Sequence, residues 1–142
     1  MSQRHEVARG IVPGHGPANV TLGWVGMIAG AASGAIAGLF FHRDDWLGGY
    51  ASFRRRMVRL GHISLFGLGI LNVLYGLSAE DDEAAVSAVG SRALLIGLAT
   101  MPVVCFLAAW RRGWRHLFFV PVGSVCVGLL CAAQATSRRV IK

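Results

Sequence analysis

Charged residues divide the chain into four long apolar runs of nearly equal length. Thr21–Phe41 holds 21 residues without a charge, Leu60–Ala79 holds 20 interrupted only by His62, Ala93–Trp110 holds 18, and Leu117–Ser137 holds 21. At about 1.5 Å of rise per helical residue these runs reach about 27–32 Å, the thickness of a bilayer's hydrocarbon core. Backbone groups surrounded by lipid must pair within their own segment, so each run is predicted to be a helix. The alternation that would mark barrel strands is absent. The predicted fold is therefore all-α: an integral membrane four-helix transmembrane bundle occupying residues 21–142. Residues 1–20, with Gly10, Pro13, Gly14, Gly16 and Pro17, read as an irregular tail. The first run is too long for a signal peptide and ends in Phe40-Phe41-His42-Arg43-Asp44 rather than at small residues, so it is expected to be retained.

The connections differ in chemistry. Between the first and second runs, Tyr50, Phe53 and Met57 lead on to Leu60 at helical spacing among several arginines, which predicts a short amphipathic interfacial segment. The second connection carries the acidic run Glu80-Asp81-Asp82-Glu83, whose expected state is solvated and self-repelling. In the third, Arg111, Arg112 and Arg115 stand beside Trp110 and Trp114, the aromatic belt of a membrane surface. Connections one and three share a side and hold eight arginines against Asp44 and Asp45, a balance of +6. The opposite side holds six basic residues against five acidic ones, a balance of +1. The positive-inside rule then places connections one and three in the cytoplasm and both termini outside.

Composition agrees with lipid rather than water as the solvent. Hydrophobic residues make up 54% of the chain and charged ones 15%, against about 25% charged in soluble domains. A net charge of +7 would suit nucleic acid, but the arginines sit between apolar blocks rather than along one soluble surface, so nucleic-acid binding is not expected. Arginine supplies 13 of the 14 basic residues. With abundant Ala and Gly, that is the usage of a GC-rich bacterial genome, and the expected location is the bacterial inner membrane. Cys105, Cys126 and Cys131 all lie inside apolar runs and form no disulfide framework.

Small residues then distinguish the runs. Gly26, Gly30, Gly34 and Gly38 recur at every fourth position of the first, a glycine zipper whose bare face lets another helix approach, ordinarily at a right-handed crossing of about −40°. That partner can be a helix of the same chain or of a second copy. In the second run His62, Gly69 and Gly76 are spaced by sevens with Asn72 near their face, and an asparagine at that depth should hydrogen-bond protein. Pro102 removes a backbone bond from the third run and is expected to kink it.

Candidate chemistry is sparse. His42, His62 and His116 fall at one membrane face; two could ligate a b-type haem and three a metal ion, with Gly69 and Gly76 admitting a flat ring beside His62. Arg54, Arg55, Arg56, Arg59, Arg111, Arg112 and Arg115 could bind anionic lipid headgroups. No Asp or Glu lies within a run, which counts against a proton-coupled carrier. No phosphate-binding loop, H-E-x-x-H or G-x-S-x-G occurs, so an enzyme is not expected. Three readings follow: a non-enzymatic membrane subunit or scaffold packed through the glycine zipper, alone, as a homo-oligomer or in a larger complex; a small haem- or metal-binding redox subunit using His62 with His116 or His42; and a channel or carrier for a small neutral or anionic solute.

Overall fold

The computed structural model describes residues 15–81 and 88–140. Four helices run in chain order: α1, His15–Gly38; α2, Phe53–Asp81; α3, Ala88–Trp110; and α4, Phe119–Val140. A 3-10 turn, Trp46–Gly48, lies between α1 and α2, and a 3-10 segment, Arg112–Phe118, leads into α4. All four helices are long and apolar enough to cross a membrane. The fold is an all-α four-helix bundle. Asp82 and Glu83 of the acidic run lie outside the described residues, as do the side chains of Glu80 and Asp81.

Two boundaries differ from expectation, each for a packing reason. Helix α1 begins at His15, inside the segment read as an irregular tail. Pro17 sits in its first turn, where a missing N–H breaks no helical bond, and Gly16 and Asn19 are buried. Helix α2 begins at Phe53, so the interfacial segment forms its first two turns rather than a separate helix. Ser52 starts it: the Arg55 backbone N–H donates to Ser52 Oγ at 3.1 Å, and that hydroxyl donates to the Leu47 carbonyl at 2.8 Å. Leu47 itself is held at a φ of 55°, followed by Gly48 and Gly49 at 87° and 90°. A left-handed leucine costs about 1–2 kcal/mol, which the Ser52 bond helps to offset.

The helices pack mainly in sequence order. α1 lies along α2, α2 along α3, and α3 along α4, while α1 also touches α3. α4 is the least covered of the four and rests chiefly on α3. On α1 the buried positions are Gly16, Asn19, Gly23, Gly26, Gly30 and Ala37. Steps of three and four average 3.5 residues, the period of a left-handed pair. The right-handed crossing inferred from a strict four-residue repeat does not follow from that set.

Along the α1–α2 seam, from the start of α1 onward, the backbones themselves meet. A Cβ on Gly23 would stand 2.6 Å from the Gly69 carbonyl oxygen, one on Gly69 2.7 Å from that of Gly23, and one on Gly76 2.6 Å from that of Gly16. Of the expected zipper, Gly30 packs on Leu65 and Phe66, Gly34 on the His62 ring, and Gly26 on Leu98 of α3. The zipper's partner is thus its own chain. Gly38 has no neighbour within 4 Å of such a Cβ and is not part of the seam. The same device joins α3 to α4, where Gly97 accepts Val125 and Gly128 accepts Leu94. Pro102 is buried within an unbroken α3.

Replacing Gly69 with Ala should lower unfolding stability by about 1–3 kcal/mol, the usual cost of overpacking a tight site. Gly38→Ala should be neutral or slightly stabilising, since it meets nothing. Titration of the micellar protein with SDS, followed by circular dichroism, measures both; equal effects at the two positions would refute the close-approach account.

Candidate functional site

Three buried polar side chains, one each from α1, α2 and α3, converge at the end of the bundle where α1 starts, α2 ends and α3 starts. Asn19, Asn72 and Ser91 are each at most 2% exposed. Asn19 Nδ2 donates to Asn72 Oδ1 at 2.8 Å and to the Ser91 carbonyl at 3.3 Å. The Ser91 hydroxyl donates back to Asn19 Oδ1. Asn72 Nδ2 donates to the carbonyls of Leu68 at 2.9 Å and Leu94 at 3.2 Å. Every amide hydrogen of both asparagines is used, and each amide oxygen accepts a bond. Such a closed network ties three helices in one register and leaves no amide donor to a solute.

Only Asn72 of this trio was marked by the sequence pattern. Asn19 fell in the tail, and Ser91 fell before a run whose start was set by the charge on Arg92. Arg92 is exposed, so its charge turns outward while Ser91, one residue earlier, turns inward. The usable signal was the spacing Gly16-x-x-Asn19-x-x-x-Gly23, which carries the small-residue seam back past Thr21.

The three histidines part company. His42 and His116 are exposed in the connecting segments. The His62 ring fills the notch beside Gly34, where a Cβ would stand 2.8 Å from its Nδ1. That Nδ1 is buried and makes no hydrogen bond. An axial or metal-bound histidine normally donates its second ring nitrogen to a carbonyl or carboxylate, and His62 offers no such partner at Nδ1. The space beside Gly69 and Gly76, expected to admit a flat ring, is filled by Gly23, Met27, Gly16 and Val20 of α1. A flat ring has no room beside Gly69 or Gly76 in this packing. Among the described residues no group of three His, Cys, Asp or Glu side chains converges to hold a metal ion.

At the opposite end the arginines divide by role. Arg55 is 3% exposed, with its guanidinium carbon 5.1, 5.5 and 5.4 Å from the ring centres of Phe41, Trp46 and Tyr50. Its Nη2 donates to the Phe41 carbonyl at 3.3 Å. Trp46 is in turn stacked on Phe40, with ring centres 5.5 Å apart. This aromatic cage fastens the end of α1 to the start of α2, and it withdraws Arg55 from the expected headgroup set. Arg59 lies 4.5 Å over Tyr50. Arg54 Nε donates to the Ala109 carbonyl at 3.0 Å, capping α3, and Arg112 lies 5.6 Å over Phe53. Arg54, Arg56, Arg111, Arg112 and Arg115 are exposed.

These contacts put the first and third connections at one end of the bundle. No protein-family model, curated protein or solved structure matches the chain.

Asn19→Leu and Asn72→Leu should each cost about 1–3 kcal/mol by orphaning the facing amide. The double variant should be less damaging than the sum, with a coupling near the upper measured range for membrane helices, about 1.7 kcal/mol. A double-mutant cycle in SDS titrations decides; strictly additive losses would mean the pair is not a unit.

Proposed function

We propose that this protein is a non-enzymatic, multi-pass membrane subunit whose work is to hold a fixed helical shape. The observation that carries this reading is the closed bond set of Asn19, Asn72 and Ser91. A carrier or channel needs polar groups free to exchange partners with a solute, and these side chains are engaged with one another. The filled notches beside Gly34, Gly69 and Gly76 support the scaffold over the redox reading. Because the glycine zipper is occupied within the chain, assembly with a second copy or a larger complex would use the outer faces of α1 and α4.

Detergent-purified protein from haem-supplemented expression should be colourless and free of stoichiometric metal by elemental analysis. It should give no solute flux in liposomes. A Soret band abolished by His62→Ala would replace the scaffold with the redox subunit.

The proposed setting is the bacterial inner membrane with both termini outside, supported by the +6 against +1 charge balance of the two sides. Single cysteines at Ala51 and Ser87, in a chain whose three native cysteines are Ala, report the orientation. An impermeant thiol reagent applied to intact cells should label position 87 and spare position 51. The reverse pattern would overturn the orientation without touching the fold.

A further inference from the structure

The geometry points to a binding site for the phosphate of an anionic phospholipid headgroup, in the seam between the first turn of α2 and the Arg112–Phe118 segment. Two arginines cross between these elements, each anchored on the other's segment or its neighbour. Arg54 comes from α2 and is anchored through Nε on the Ala109 carbonyl at the end of α3. Arg112 comes from beyond α3 and is anchored over the Phe53 ring. Each anchor fixes the side chain but leaves donors over. Both Nη groups of Arg54 and all the guanidinium N–H groups of Arg112 lack a protein hydrogen bond among the described residues. Arg111 and Arg115, in the same connection as Arg112, are exposed as well.

Among the described residues no carboxylate pairs with either group. Among the described residues the one ion pair is Arg43 with Asp45, 3.9 Å apart in the other connection. The first turn of α2 contains no acid, and Arg54, Arg55 and Arg56 follow one another at the positive end of that helix, where a cation is disfavoured and an anion favoured. An anion held between Arg54 and Arg112 relieves both problems, and fork-shaped guanidinium groups suit phosphate oxygens.

The depth of the seam selects a lipid as the source of that phosphate. Trp110 is 85% exposed and Trp114 43%, a pair of indoles at the level where headgroups begin. Phe119, 72% exposed, stands just inside them for the acyl chains. Neither an acidic protein segment nor free phosphate accounts for these bare aromatic rings.

The test is native mass spectrometry of the detergent-purified full chain titrated with dioleoylphosphatidylglycerol. Dioleoylphosphatidylcholine and inorganic phosphate form separate arms. The glycerol lipid should remain bound in preference to the choline lipid and should not be displaced by millimolar-range phosphate. Arg112→Gln should weaken its retention by roughly fivefold, the effect of one basic residue at an anionic surface. Arg54→Gln should do the same, while Arg43→Gln, with the same change in charge, should leave retention unaltered. Arg54→Gln also removes the cap on Ala109, so Arg112→Gln decides if that variant fails to fold. Equal losses from Arg43→Gln and Arg112→Gln would overturn the site in favour of diffuse attraction. Equal retention of the two lipids, or displacement by phosphate alone, would overturn it as well.

Discussion

At Gly23 and Gly69 the backbones of α1 and α2 come so near that each carbonyl occupies the space where a side chain on the other glycine would begin. In lipid no hydrophobic force drives two apolar helices together, so association rests on dispersion and on polar bonds made at short range. Both need proximity. Ordinary helix pairs stand about 8–10 Å apart, a separation at which two short amide side chains reach each other only in a favourable layer. With glycine at Gly16, Gly23, Gly69 and Gly76, Asn19 and Asn72 close to 2.8 Å and α3 comes within reach of both. The asparagines in turn define the register. Sliding α1 by one turn, about 5.4 Å, would bring side chains against the glycines and strand the amides in an apolar interior.

The two ends of the bundle are held by different chemistry, and the difference follows from solvent. Inside the spans a charge would be costly, so the clamp there is neutral and every amide hydrogen is matched. At the arginine-rich end water and headgroups are available, and the clamps are cations: Arg55 inside its aromatic cage, Arg54 on the Ala109 carbonyl of α3. Arg55 is the costlier arrangement, because its Nε is buried without a partner. Three ring faces and one carbonyl compensate. A lysine could not repeat this, since its compact ammonium cannot lie among the Phe41, Trp46 and Tyr50 rings and also extend a fork of donors to the Phe41 carbonyl.

The four spans were legible because length and absence of charge are coarse signals that lipid imposes directly. The site was less so. Cutting the runs at charged residues trimmed Ser91 away with Arg92, although a long side chain can turn to the surface and leave its neighbour buried. The glycine repeat at every fourth position drew attention from the 3.5-residue set, Gly16, Asn19, Gly23, Gly26 and Gly30, that the packing uses. Gly97 and Gly128 carried no repeat of their own and were found only through what they touch. Arg55 was indistinguishable from Arg54 and Arg56 in sequence. What separates them is the path of the connection, where a left-handed Leu47 and two positive-φ glycines turn Trp46 and Tyr50 back over α2.

Exposed apolar surface has a different meaning here than in a soluble protein. Leu22, Val25, Ile28, Val127 and Leu130 are all exposed, yet lipid chains satisfy them as well as a protein would, so their exposure says nothing of partners. The informative places are those where a local rule is broken, and what differs among them is whether a described bond repairs it. The asparagine cluster breaks the rule against polar groups in the spans and is repaired by its own bonds. The His62 Nδ1 breaks it on a smaller scale, as one unpaired nitrogen packed against a glycine. The first turn of α2 breaks it most openly, with consecutive arginines on a positive helix end and, among the described residues, no carboxylate paired with Arg54 or Arg112. The described interior thus closes its amides on one another and leaves one imidazole nitrogen over, while the arginines of the rim keep donors that no described carboxylate meets.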